Sequence, residues 1–166
     1  MRVKRILVLM VAMCALILSA APVAANPSSP CKVGSPGYWS KHPKAWPVDE
    51  ICVKQAEEYG TGETCYTKEA AIVLMKPDKG DKSITLFRAF VAARLNQLAS
   101  CDVSCPIPGT DKTIEDIIWQ ASAWLYDNKP GSGVEANSEA WQNGGEWKYE
   151  WLDKYVNGKL CVEARD

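Results

Sequence analysis

The stretch SITLFRAFVAARLNQLAS, residues 83 to 100, decides the fold class of this chain. Its large apolar residues recur at helical spacing and cover a wide face: Ile84, Leu86, Phe87, Phe90, Val91, Leu95 and Leu98. Small residues lie between them and would let neighbouring helices approach closely: Ala89, Ala92 and Ala93. A helix that is apolar nearly all round is buried by its neighbours. The stretch therefore predicts a central helix inside a helical bundle.

Helical periodicity recurs on both sides of this stretch. Thr67 is placed to cap a helix over TKEAAIVLMK, residues 67 to 76. The segment TIEDIIWQASAWLYDN at 113–128 carries apolar residues at positions i, i+3, i+4, i+7 and i+11: Ile114, Ile117, Ile118, Ala121 and Leu125. VDEICVKQAEEYG at 48–60 follows a proline and predicts a further short helix.

The two ends of the chain differ in their sequence patterns. Residues 26–49 are rich in Pro, Gly and Ser without any period, which predicts an ordered irregular segment. Near the C-terminus, Gly144 and Gly145 predict a break between a short helical turn from Ser138 and a last helix. That helix carries aromatic residues at four-residue spacing, a pattern typical of a core face: Trp147, Trp151 and Tyr155. We therefore predict an all-α bundle of about four to five helices with an irregular N-terminal segment, and no strands.

Residues 1–25 have the pattern of a cleaved signal peptide. Arg2, Lys4 and Arg5 precede the apolar run ILVLMVAMCALILSA, and small residues end at Ala25. The apolar run is shorter than the roughly 20 residues that span a bilayer. We expect a mature chain of residues 26–166, long enough for a single domain with its own core. The expected location is extracellular or periplasmic, with the cell surface also possible.

The charge of the mature chain limits its partners. The full sequence has 19 basic and 20 acidic residues, so the loss of three basic residues with the signal peptide gives a net charge of −4. No cluster of Lys or Arg is present. A mildly acidic domain of this kind argues against nucleic acid or an anionic membrane as its natural partner.

Six cysteines remain after the Cys14 of the signal peptide is removed: Cys31, Cys52, Cys65, Cys101, Cys105 and Cys161. An even number in an exported chain predicts disulfide bonds. Six cysteines allow 15 pairings, and the sequence does not choose among them. Our preferred set has Cys52–Cys65 as a local staple, Cys105–Cys161 as the anchor of the C-terminus, and Cys31–Cys101 as the remaining pair. Their spacing fits no zinc site, and the single histidine cannot complete one.

The run G-Y-W-x-x-H-P-x-A-W-P at 37–47 resembles the signature of a family of small exported domains in microbial secreted and cell-surface proteins. Further segments have counterparts in that family: residues 66–96, WQASAWL at 119–125, PGSGV at 130–134 and LDKYVNGKLC at 152–161. The resemblance implies a self-standing domain outside the cell, and it brings no catalytic residues to this sequence. CVKQAEEYGTGETC at 52–65 departs from the family pattern as an extra cysteine-flanked loop.

The same aromatic run supplies the candidate binding residues: Tyr38, Trp39, His42 and Trp46. Aromatic rings on a proline-stiffened loop can stack on sugar rings or anchor a protein partner. A chain with two phenylalanines must also use tryptophan in its core, so we favour core positions for Trp39 and Trp46. For His42 we favour a hydrogen bond to the backbone over a catalytic role, in which the imidazole would transfer a proton.

Sites for metals and catalysis are weakly supported. Asp78 and Asp81 lie in DKGD, which lacks the ligand spacing of a calcium loop, and Asp81 is as suited to cap the central helix. We predict no metal, no cofactor and no catalytic residue. The predicted function is recognition or structure outside the cell, with an extracellular protein, a glycan or self-association in a surface assembly as partner. The alternative is a small hydrolase of envelope polysaccharide that uses two carboxylates.

Overall fold

A computed structural model describes residues 31–56, 60–77 and 80–165, which form five α-helices and one two-stranded sheet. In chain order the elements are α1 (Pro36–Lys41), a 3₁₀ turn (Pro43–Ala45), β1 (Glu50–Lys54), β2 (Glu63–Thr67), α2 (Lys68–Leu74), α3 (Lys82–Leu98), α4 (Ile114–Asp127), a π-helical turn (Trp141–Gly145) and α5 (Glu146–Val156). The expected signal peptide lies outside the described residues.

Helix α3 is the centre of the structure, as its sequence predicts. Phe87, Phe90 and Leu95 are almost completely buried, and α1, α2, α4 and α5 all pack against the helix. Asp81 caps its first turn by accepting a hydrogen bond from the Ser83 backbone N–H at 2.8 Å. The predicted Thr67 cap of α2 is also present. On α4, the predicted apolar stripe is buried along its whole length.

The prediction of an all-α fold is wrong at residues 50–67, where β1 and β2 form an antiparallel hairpin. Residues 50–54, expected to be helical, alternate between the two faces of the sheet. Ile51 and Val53 point into the core and are 2% and 0% exposed. Cys52 lies directly opposite Cys65 and is bonded to it. The fold is therefore helical with a small sheet packed against α4.

The N-terminal segment is more regular than its composition predicts. Ser35 caps α1 by accepting from the Tyr38 backbone N–H at 3.2 Å, and a proline occupies the first turn. Gly34 lies directly against the Tyr38 and Trp39 rings, where a Cβ would come within 2.7 Å of atoms of both. The segment is thus a short helix and a 3₁₀ turn folded onto the core.

The predicted break at Gly144 and Gly145 is also wrong. The two glycines belong to a π-helical turn that runs without interruption into α5. The ring of Trp124 packs on this turn, and a Cβ on Gly145 would come within 2.9 Å of that ring. The Trp124 indole N–H donates to the Ala140 carbonyl at 3.0 Å. The glycines therefore leave room for the Trp124 ring of α4, and they do not end a helix.

The three disulfides follow the preferred pairing, Cys31–Cys101, Cys52–Cys65 and Cys105–Cys161. Near the last of these the C-terminal segment returns to the start of the domain. The Val33 backbone N–H donates to the Glu163 carbonyl at 2.9 Å, and the Arg165 N–H donates to the Val33 carbonyl at 2.8 Å. The two ends of the described chain are thereby held together.

Between residues 31 and 165, none of the helices that the structure describes has both the length and the apolar composition of a membrane span.

Candidate functional site

Two of the four aromatic-run residues lie in the core. Trp39 is 2% and Trp46 6% exposed. The Trp39 indole N–H donates to Asn96 Oδ1 at 3.1 Å, and the Trp46 indole N–H donates to the Trp39 carbonyl at 2.9 Å. Asn96 is fully buried and also binds both polar backbone groups of Gly34. The core positions favoured from the sequence are therefore confirmed.

Tyr38 and His42 remain at the surface and contact each other. Their rings stack with centroids 4.3 Å apart, and His42 Nδ1 lies 2.8 Å from the Tyr38 carbonyl oxygen. Arg165 donates from Nη1 to the Tyr38 hydroxyl at 2.8 Å. His42 thus makes the backbone contact favoured from the sequence. Ligand binding by this run stays a prediction, and Tyr38 and His42 are the members with accessible surface.

A larger concave site lies elsewhere, between the hairpin and α4. It is a groove of about 830 Å³, which we call the hairpin groove. Its described lining residues come from both walls: Lys54, Gln55, Ala56, Gly60, Thr61, Gly62 and Glu63 from the hairpin, and Asp116, Trp119, Gln120 and Ala123 from α4. The α4 residues recur at i, i+3, i+4 and i+7 and so share one helix face.

Trp119 dominates the α4 wall. Its side chain is 49% exposed, whereas Trp39 and Trp46 are buried. On an ideal helix its position is about 145° from the centre of the apolar stripe of α4. It therefore cannot reach the core that the stripe faces. Among the described residues, none accepts a hydrogen bond from the Trp119 indole N–H.

The hairpin wall is held in place by backbone contacts. The Lys54 backbone N–H donates to Ser122 Oγ on α4 at 2.8 Å, and the Gln55 N–H donates to the Gly62 carbonyl at 2.8 Å. Gly62 lies so close to the Tyr126 hydroxyl that a Cβ would overlap it. The Cys52–Cys65 disulfide bridges the two strands. The groove is thus formed before any ligand arrives.

The described lining of the groove carries one ammonium, that of Lys54, and two carboxylates, those of Glu63 and Asp116. Lys54 Nζ lies 3.8 Å from Glu63 Oε1 across the two strands. Hydrogen bonds from the Thr113 backbone N–H and hydroxyl lower the pKa of the Asp116 carboxyl, and both go to Oδ2. A glycosidase would need a carboxylic acid with a raised pKa. Asp116 does not have this property.

Asp81 belongs to a structural cluster and not to the groove. Its carboxylate accepts hydrogen bonds from the Ser83 N–H and hydroxyl and from the backbone N–H groups of Gly133 and Val134. This cluster fastens the 130–134 loop to the start of α3. The other acid of the DKGD segment, Asp78, lies outside the described residues.

Among the described residues, the one group with the geometry to hold a metal is Glu50, Cys52 and Cys65. Both of its sulfur atoms are joined in a disulfide, so they are not thiolate ligands. This group therefore does not form a metal site.

Sequence reasoning missed the hairpin groove because it gave Trp119 no role and predicted a helix in place of the hairpin. The signal was present in the position of a tryptophan on the polar side of α4. The hairpin wall had no comparable signal, since it is made by the pairing of two strands. No protein-family model, curated protein or solved structure matches the chain.

Proposed function

We propose that the chain is an exported recognition domain that binds an extracellular ligand in the hairpin groove. The observation that carries the proposal is the half-exposed Trp119 on a rigid helix, facing a preformed wall. Exposed aromatic side chains in concave sites are common anchors for ligands, because they supply large contact area at little conformational cost.

The disulfides support a site of folding outside the reducing cytoplasm. The same cross-links support recognition by a rigid surface. A groove that is already formed loses little entropy when it binds, and preorganisation of this kind raises affinity.

The alternative, a carboxylate-dependent hydrolase, draws on Glu63 and Asp116, which line the same groove. Asp116 has a lowered pKa and could serve only as an ionised group. The lining therefore favours binding over hydrolysis.

The test uses the oxidised, secreted protein and intact envelopes of the source cells. The bound fraction is measured against envelope concentration for the wild type, Trp119→Ala and the control Trp151→Phe, which changes a half-buried ring on α5. Removal of an anchoring ring should cost about 1.4 kcal/mol or more, which corresponds to a tenfold loss of affinity. The control should bind as the wild type does.

Equal binding by Trp119→Ala and the wild type, or no binding by either, would contradict the proposal. The same envelopes are assayed for newly formed reducing ends. We expect none above the background without protein. Release that stops in Glu63→Gln would make the protein a hydrolase.

A further inference from the structure

We infer that the ligand of the hairpin groove is a neutral polysaccharide, with one sugar ring lying on the indole of Trp119. This inference rests on the proposed function and specifies the chemistry of the same site.

The shape of the groove supports a small or thin ligand. Its volume of about 830 Å³ lies within the range of roughly 300–1,000 Å³ found for small-ligand sites. A protein partner typically covers about 800 Å² of a broad surface. A groove of this size between a helix and a hairpin instead fits a few units of a linear chain.

Trp119 offers the surface that a sugar ring needs. A pyranose has C–H groups on its faces and hydroxyls around its edge. The C–H face packs on the electron-rich face of an indole, and the edge stays available for hydrogen bonds. The Trp119 indole N–H is a donor without an acceptor among the described residues, so it can bind a hydroxyl at the edge of the ring.

The polar lining matches hydroxyl groups. Gln55 and Gln120 stand on opposite walls of the groove, and Thr61 lies at the hairpin end. Side-chain amides carry both donors and acceptors, and a hydroxyl does the same. These residues can therefore bind sugar hydroxyls in either direction without placing a net charge against them.

The charges argue against an anionic chain. Lys54 is the one cation among the described lining residues, and its ammonium lies beside the Glu63 carboxylate. Asp116 adds an ionised carboxylate. A sulfated, phosphorylated or uronic acid polymer would meet two negative charges against one positive charge. A neutral glycan meets no such repulsion.

Two of the described residues at the hairpin end have no side chain. Gly60 and Gly62 border the groove there. Any larger residue at Gly62 would collide with Tyr126.

The experiment is affinity electrophoresis of the oxidised protein in gels containing a single soluble polymer. The neutral probes are hydroxyethyl cellulose, mannan and dextran, and the anionic probes are polygalacturonate and dextran sulfate. We expect retardation by at least one neutral polymer. Trp119→Ala should weaken it at least tenfold, Trp119→Phe by less, and Trp151→Phe not at all. The melting temperature of each variant checks that it is folded.

The salt dependence of binding also distinguishes a neutral ligand from an anionic one. Binding to a neutral glycan should change less than twofold between 50 mM and 500 mM NaCl, because no counterions are released. Retardation by the anionic polymers alone, or binding lost at high salt, would overturn the inference.

The outcomes distinguish this inference from the proposed function. If Trp119-dependent binding to envelopes persists after polysaccharide removal but is lost after protease treatment, the ligand is a protein. The proposed function then stands and the glycan inference falls. If Trp119→Ala binds both envelopes and neutral polymers as the wild type does, both are wrong.

Discussion

Asn96 is the residue through which the aromatic run is fastened to α3, and Asn96→Ala tests that role. The asparagine is fully buried. Its Oδ1 accepts from the Gly34 N–H at 2.7 Å and from the Trp39 indole at 3.1 Å, and its Nδ2 donates to the Gly34 carbonyl at 2.9 Å. The substitution removes all three hydrogen bonds at once.

The expected loss of stability in Asn96→Ala follows from the polar groups that the substitution leaves without partners. A buried polar group that loses its partner costs about 1–3 kcal/mol. Three such groups remain, two on Gly34 and one on Trp39. Relaxation of the backbone recovers part of this cost, so we expect a loss of about 3–6 kcal/mol in the free energy of unfolding. Against a usual total of roughly 5–15 kcal/mol, this is a large fraction.

The measurement is urea unfolding of the oxidised protein, with far-UV circular dichroism as the signal. Gln97→Ala is the matched control, because Gln97 is the next residue on α3 and its side-chain amide donates to the exposed Glu115. We expect the control to lose under about 1 kcal/mol. Trp39→Phe keeps a buried ring but removes the indole N–H, so it should cost less than Asn96→Ala.

A loss below about 1 kcal/mol for Asn96→Ala would refute this reasoning. The aromatic run would then be held by apolar packing alone. In that case Trp39→Phe should cost only what its smaller ring loses in packing.

Two further predictions concern the hairpin and the α3 cap. Replacing Cys52 and Cys65 by serine opens a loop with a sequence separation of 13 and should lower the free energy of unfolding by about 3 kcal/mol in the chain-entropy model. Polymer binding should weaken in parallel. Unchanged binding would show that the hairpin wall does not need this disulfide. Burial alone raises the pKa of Asp81, but hydrogen bonds from Ser83, Gly133 and Val134 together outweigh it and the pKa lies below its usual value. The carboxylate therefore stabilises the fold above about pH 4, and this stabilisation is lost as the pH falls through its folded pKa. Urea midpoints between pH 2.5 and 6 should show a smaller pH slope for Asp81→Asn than for the wild type, and equal slopes would contradict the assignment.

The helical part of the fold was accessible from sequence because its signals are local. The stripes of α3 and α4 and the caps at Thr67 and Asp81 each lie within one element. Short-range periodicity and capping chemistry determine such features before tertiary contacts form. The buried face of α4 is therefore the predicted one. The buried face of α3 is the predicted one except at its two ends, where Ile84 is half-buried and Leu98 is exposed.

The errors occur where a distant partner decides the local structure. Ile51 and Val53 face the core only because β2 pairs with β1, and five residues are too few to display a clear alternation. Gly145 lies in a helix because the Trp124 ring needs its missing side chain. In each case the deciding contact comes from another segment of the chain.

The predicted Cys52–Cys65 disulfide also indicated a β-hairpin. A bond between Cys52 and Cys65, with a separation of 13, joins the ends of a short excursion. Two neighbouring strands place opposite residues at the distance that a disulfide needs. The staple and the turn at Gly60–Gly62 were thus a hairpin signal. A helix over 48–60 could not have placed both cysteines side by side so simply.

Trp119 differs from Trp39, Trp46 and Trp124 in whether the protein itself uses the indole N–H. Trp39, Trp46 and Trp124 donate to internal acceptors, and the first two are buried. Replacing Trp39 or Trp46 by alanine creates a cavity and removes a buried hydrogen bond, so the free energy of unfolding should fall by about 3–5 kcal/mol. Trp119 has neither an acceptor among the described residues nor a complete cover. Trp119→Ala should therefore leave the melting temperature nearly unchanged while it weakens binding at least tenfold. Because the fold does not depend on the Trp119 ring, that ring is available to contact a ligand.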